Sequence, residues 1–193
     1  MSMPFGLDDA HCERVAAFIR ERGATTGGHT VHADPSAAWQ RWAEPAELVE
    51  PLGGVLLDAR ALKPQAGRGR LDMLISHAAD LVRGPIEEDA QMLEIATILA
   101  GTFALRLLGH FDGSVAVAPH PALAELPEAL PAYARRLASL DSRIQILLPD
   151  TEAGTAAASE LGAAAYTERC DDHAAELSAQ NFIDQRIKEF IGD

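Results

Sequence analysis

Two stretches decide the fold, Gly113-Ser-Val-Ala-Val-Ala-Pro119 and Arg143-Ile-Gln-Ile-Leu-Leu-Pro149. Each is a short apolar run, partly β-branched, with the length and turn-forming boundaries of a strand. The first precedes a helical stretch that reaches Leu140, and the second precedes an Ala-rich helix that reaches Leu161. Strands that alternate with helices in this way are typical of a parallel sheet covered by helices.

Two further runs continue the same pattern. Leu52-Gly-Gly-Val-Leu-Leu-Asp58 predicts an interior strand, and the segment 163–167 predicts a short strand before a final helix, about 172–191. We therefore expect an α/β fold in a single domain, residues 1–193. Its mostly parallel sheet should have about four or five strands, with helices on both faces and an extra N-terminal helical layer. The alternative is an α-rich α+β fold, because Ala-rich segments such as Ala153–Leu161 leave the strands short.

The N-terminal half supplies that helical layer. Asp8 or Asp9 is a suitable N-cap for a first helix. The segments that begin at Pro35 and Pro45 predict two short helices, with Trp39 in the first of them, because proline suits a first helical turn.

The middle of the chain combines a loop with a strongly apolar helix. We expect Lys63–Arg70, which is basic and rich in glycine, to be a flexible loop. Ile86–Leu108 predicts a helix with so few polar residues that it must be buried on most sides. Such a helix lies either at the centre of the domain or in an interface between subunits.

Charge and cysteine content exclude several classes of protein. The net charge of −13 argues against a nucleic-acid-binding protein, because binding a phosphate backbone requires a basic surface. An anionic membrane surface repels the chain for the same reason. Two cysteines give no disulfide framework, and the N-terminus does not resemble a signal peptide. We expect a soluble cytoplasmic protein.

The candidate site lies where the predicted strands end. Parallel strands bring their carboxyl ends to one edge of a sheet, which is where ligands bind in open α/β sheets. Asp58 ends one of the predicted strands and His120 directly follows another. Together they can serve as an acid–base pair, since histidine titrates near neutral pH and a carboxylate can orient it. Asp150, Thr151 and Asp171 lie at two further strand ends and are candidate ligand-binding residues. The simpler interpretation is that these polar residues cap helices or form turns.

Metal binding is a second hypothesis. His29 and His32, and likewise Cys170 and His173, place two potential ligands three residues apart. Together they would form a four-ligand set of the kind that holds structural zinc, although the spacing matches no standard zinc motif.

The sequence thus predicts one function and one alternative. The first is a small-molecule-binding protein or enzyme with its site at the strand ends, its reaction and cofactor left open. The alternative is a non-catalytic accessory protein that forms a homodimer or binds a partner through the apolar helix 86–108. Hydrolase, kinase and paired-cysteine motifs that would name a reaction are not found in the sequence.

Overall fold

Five short strands form one sheet in which every neighbouring pair is parallel. A computed structural model of the protein describes residues 5, 7–26, 28–84, 86–168 and 173–192. Within them the order along the chain is α1 (Asp9–Gly23), β1 (Trp39–Arg41), β2 (Gly54–Leu57), α2 (Ala59–Gly67), α3 (Asp72–Val82), α4 (Glu88–Leu108), β3 (Val115–Val117), α5 (Leu130–Ala138), β4 (Ile144–Pro149), α6 (Glu152–Leu161), β5 (Ala165–Glu168) and α7 (His173–Ile191). Single 3-10 turns span Pro45–Glu47, Pro121–Glu125 and Gly162–Ala164.

The strands lie side by side in chain order, β1-β2-β3-β4-β5. The register aligns Val55 of β2 with Val115 of β3, and Val115 with Ile144 of β4. Successive side chains of a strand point to opposite faces. Val55, Val115 and Ile144 therefore share one face, and each is at most 1% exposed. On the other face, Leu56 and Leu147 are only half-buried.

The predicted fold class is confirmed: an α/β chain with a parallel sheet and helices packed around it. The extra N-terminal layer is also present, because α1 packs against α4. Asp8 is the N-cap of α1, and its carboxylate accepts a hydrogen bond from the His11 amide at 2.7 Å. Thr151 caps α6 in the same way, through the Gly154 amide at 3.1 Å.

Two local predictions are wrong. Trp39–Arg41 is an edge strand and not a helix, because these residues pair with β2 and the Trp39 ring lies over Gly54. A Cβ atom at Gly54 would lie 2.4 Å from that ring, so glycine allows the contact. The segment predicted as a loop at 63–70 belongs largely to α2, which starts from the Asp58 cap and ends at Gly67.

Helix α4 is the central helix of the domain. Leu99, near its middle, is 1% exposed, and Ile95 and Ile98 are fully buried. By length and composition alone α4 is apolar enough to cross a membrane, but 72% of that segment is buried inside the chain. The alternative function assigned the apolar surface of this helix to a homodimer or partner interface. In the structure, that surface is packed within one chain. Whether the protein forms a homodimer stays a prediction.

A buried carboxylate joins α4 to two neighbouring helices. Glu94 of α4 is fully buried and accepts hydrogen bonds of 2.5 and 2.7 Å from Arg136 of α5. Its Oε2 atom also lies 3.1 Å from Nε2 of His11 in α1. Burial by itself would raise the pKa of Glu94, but the hydrogen bonds from Arg136 and His11 outweigh it and lower the pKa to about 2. Glu94 is therefore ionised over the whole neutral range.

This carboxylate makes stability depend on pH. Its native pKa lies below the ordinary value of 4.5, so the stabilisation is fully present above that pH and is lost as the pH falls towards 2. We expect urea denaturation to show a loss on the order of 3 kcal/mol over this range, since one pKa unit corresponds to about 1.4 kcal/mol. The double variant Glu94→Leu/Arg136→Met removes both charges, so its free energy of unfolding should fall less than that of the wild type over the same pH range. An equal pH dependence in the two proteins would contradict this account.

Candidate functional site

A cleft of about 640 Å³ opens at the carboxyl ends of β1, β2, β3 and β4. Its walls include the last residue of β1, the residues directly after β2 and β3, the turn after β4 and the first turn of α7. Apolar side chains of the half-buried sheet face, Leu56 and Leu147, also line it. The cleft thus combines an apolar surface with polar groups at its edge, as small-molecule sites do.

Asp58 is the best-connected polar residue of the cleft. It directly follows β2, its side chain is 3% exposed, and its Oδ1 atom accepts a hydrogen bond from the Ala61 amide at 3.0 Å. Asp58 is therefore the N-cap of α2. The chain places a carboxylate here because the strand ends and the helix begins with no intervening loop.

Two arginines bind the same carboxylate. Arg41, the last residue of β1, donates from Nε to Oδ1 and Oδ2 of Asp58 at 3.1 and 2.9 Å. Arg60, in the first turn of α2, donates from Nε and Nη2 to Oδ2 at 3.0 and 2.8 Å. Such charge-assisted hydrogen bonds are stronger than neutral ones and fix the geometry of the guanidinium groups. The three side chains together carry one net positive charge.

His120 lines the cleft, but both of its ring nitrogens have partners. Nδ1 accepts a hydrogen bond from the Ala122 amide at 3.1 Å and so caps the 3-10 turn at Pro121–Glu125. Nε2 therefore carries the proton and donates to the Asp184 carboxylate of α7, at 3.1 and 3.2 Å. Gln180 of α7 holds that carboxylate with a further hydrogen bond of 2.7 Å. His120 thus joins the end of β3 to α7.

The two candidate residues after β4 lie three strands away from β1. Asp150 and Thr151 are both exposed and line the cleft. The turn that holds them is tight, because a Cβ atom at Gly154 would lie 1.9 Å from the Pro149 carbonyl oxygen. Thr151 Oγ1 is already bonded to the Gly154 amide, so its role in the structure is that of a helix cap.

The structure thus brings Asp58, His120, Asp150 and Thr151 to one cleft, as their positions at strand ends predict. It does not pair Asp58 with His120, because each is hydrogen-bonded to other residues. The ligand-binding candidate Asp171 lies outside the described residues. The assignment of catalytic and binding roles to this set stays a prediction.

The candidate metal ligands are not brought together where they are described. His173 lines the cleft, at the carboxyl end of the sheet. Val31 pairs with Phe111, which precedes β3, so the exposed His29 and His32 lie at the opposite, amino end. Nδ1 of His32 is 2.6 Å from Oδ2 of Asp112, and this hydrogen bond raises the pKa of His32. Cys170 lies outside the described residues, and within the rest no cluster of three or more His, Cys, Asp or Glu side chains is found.

Sequence reasoning missed two residues of the site. Arg41 belongs to an edge strand of three residues, which is too short to show any periodicity. Asp184 is 64 positions from His120 and belongs to the polar side of an amphipathic helix, where a carboxylate has no distinctive signal. Asp58, directly after a predicted interior strand, was the one signal that pointed to such a residue, because a buried carboxylate requires a cationic partner.

Comparison of the chain with protein-family models and with curated protein sequences finds no match. Function is therefore inferred from the cleft itself.

Substitution of Asp58 separates its two structural roles. Asp58→Asn keeps a side-chain oxygen for the α2 cap but removes the charge, and we expect it to lower the free energy of unfolding by about 2 kcal/mol. Asp58→Ala also removes the cap and should cost about 1 kcal/mol more. Urea denaturation measures both values.

The matched control is Asp80→Asn, at a side chain that is 68% exposed, where a change within about 0.5 kcal/mol is expected. If Asp58→Asn were as mild as this control, the carboxylate would not hold the two arginines as described.

Proposed function

We propose that this protein is a soluble cytoplasmic small-molecule-binding protein whose ligand occupies the cleft at the carboxyl ends of β1 to β4. The single observation that carries the proposal is the cleft of about 640 Å³, which falls within the usual range of small-molecule sites. Parallel sheets also present their ligand sites at this edge.

The chemistry of the cleft supports binding more than acid–base catalysis by His120 and Asp58. A general base needs a free atom within hydrogen-bond reach of the proton it removes. The Nδ1 atom of His120 accepts from the Ala122 amide, and its Nε2 proton is directed at Asp184. Asp58 is buried and is hydrogen-bonded to Arg41, Arg60 and the Ala61 amide. These contacts hold the walls of the cleft in place and leave it preorganised for a ligand.

Retention of a ligand tests the proposal. The purified protein is mixed with the small-molecule fraction of a cell extract, freed of unbound compounds by gel filtration, and denatured. Mass spectrometry then identifies the released compounds. We expect the wild type to release a compound and Leu147→Trp to release little of it, because the indole would fill the cleft that Leu147 lines.

Val49→Trp is the matched control for this experiment. It introduces the same indole at a side chain that is 56% exposed and outside the cleft lining, so the variant should retain the compound. If Leu147→Trp does not fold, as judged by circular dichroism, Ala124→Trp on the 3-10 turn provides a second way to fill the cleft. No compound released by the wild type, or equal release by the filled variants, would contradict the proposal.

A further inference from the structure

Arg41 has hydrogen-bonding capacity that its own chain does not use. A guanidinium group has five N–H donors, and in Arg41 the Nε donor is directed at Asp58. Within the part of the chain that the structure describes, neither Nη1 nor Nη2 of Arg41 has a hydrogen-bond partner. The side chain is 34% exposed and lines the cleft. These nitrogen atoms are therefore available to a molecule that enters it.

The contact with Asp58 holds this guanidinium group in one place. The Asp58 carboxylate is also hydrogen-bonded to the Ala61 amide and to Arg60. The position of the two oxygens that bind Arg41 therefore does not depend on Arg41 itself. A planar guanidinium group with two free Nη atoms suits the two oxygens of a carboxylate or a phosphate. Because the group is held before the ligand arrives, less side-chain entropy is lost on binding.

The charges around Arg41 favour an anion at this end of the cleft. The single carboxylate of Asp58 is shared between Arg41 and Arg60, so it does not neutralise Arg41 alone. Asp150 comes after β4, three strands away from β1, which corresponds to roughly 14 Å at the usual strand spacing. That distance exceeds the Debye length of about 8 Å at physiological ionic strength, so the repulsion from Asp150 is largely screened.

The rest of the cleft limits the kind of anion. Leu56, Leu130 and Leu147 give it an apolar surface, which suits an apolar ligand body. Asp150 and Glu176 also line the cleft, and their negative charges disfavour a second anionic group. The cleft therefore fits a small molecule with one anionic end and an apolar remainder.

We propose that the ligand of this protein is an organic anion whose carboxylate or phosphate group binds the Nη atoms of Arg41. This inference rests on the proposed function, since it names the chemical class of the molecule that occupies the same cleft. Arg41 is then the residue that determines specificity for the anion, and Asp58 is a positioning residue that holds it.

Titration with small probes tests this assignment. Benzoate and phenyl phosphate supply the two anionic groups on one apolar ring, and benzamide supplies the ring without a charge. Binding is monitored by ¹⁵N–¹H NMR of the backbone amides and the arginine Nε–H groups. We expect at least one of the two anions to shift the Arg41 Nε–H and Leu147 amide signals saturably, and benzamide to bind about tenfold more weakly or worse. The anion that binds more tightly identifies the group that the site takes.

Variants of Arg41 connect the affinity to this side chain. Arg41→Met should weaken binding of the anion by about tenfold or more, since it removes charge-assisted hydrogen bonds. Arg41→Lys keeps the charge but loses the planar pair of donors, so its affinity for the anion should lie between those of the wild type and Arg41→Met. Arg14→Met, at an exposed position of α1, removes the same kind of charge outside the cleft and should bind like the wild type. Circular dichroism checks that each variant is folded.

The outcomes separate this inference from the proposed function. If benzamide binds as tightly as both anions, or if Arg41→Met binds the anions normally, the inference is wrong. If Leu147→Trp fails to retain the compound but Arg41→Met retains it, the cleft binds a ligand as proposed. Only the assignment of Arg41 as the residue that binds its anionic group is then wrong. If no probe shifts any cleft signal and no compound is retained, both proposals fail.

Discussion

The candidate site depends on the ion pairs that the buried Asp58 carboxylate forms with Arg41 and Arg60. Asp58 directly follows β2, caps α2 and binds Arg41, the last residue of β1, so three elements meet at one buried group. A buried ion is costly unless it is paired and hydrogen-bonded, and here Arg41, Arg60 and a backbone amide satisfy it. The same contacts that make this carboxylate tolerable inside the protein also set the position of the Arg41 donors in the cleft.

The strand order explains why the cleft is not of the usual doubly wound kind. In a doubly wound sheet the strand order reverses at one point, and the ligand binds in the crevice that opens there. The order β1-β2-β3-β4-β5 has no reversal within the described residues. The cleft is instead enclosed by the 3-10 turn after β3, the turn after β4 and the first turn of α7. The pair His120–Asp184 keeps α7 against this edge.

Much of the fold was predictable, because long-range packing leaves a local pattern in most of these elements. The alternation of apolar strands with helices indicated the parallel sheet. The nearly continuous apolar character of α4 indicated a helix buried on most sides, at the centre of the domain or in a subunit interface, and the structure places it at the centre. The pattern failed where an element is too short or where tertiary contacts override local preference. The three residues of β1 carry no periodicity, and the helix α2 contains Pro64 and ends in glycine, which together resemble a loop.

The site was predictable in outline but not in its chemistry. Topology alone places Asp58, His120, Asp150 and Thr151 at one edge, because parallel strands all end there. The partner of each side chain depends on residues distant in sequence: Arg41 for Asp58, and Asp184 for His120. Those pairings hold Asp58 and His120 in two separate contacts. They also leave Arg41 with Nη donors that no described residue uses.

The central claim is that the cleft binds an organic anion through Arg41. The most direct measurement is a crystal structure of the protein grown with benzoate. The account predicts benzoate in the cleft, with its carboxylate oxygens at about 2.8 Å from the Nη atoms of Arg41 and its ring against Leu56 and Leu147. A cleft without benzoate, or a benzoate whose carboxylate faces away from Arg41, would contradict it.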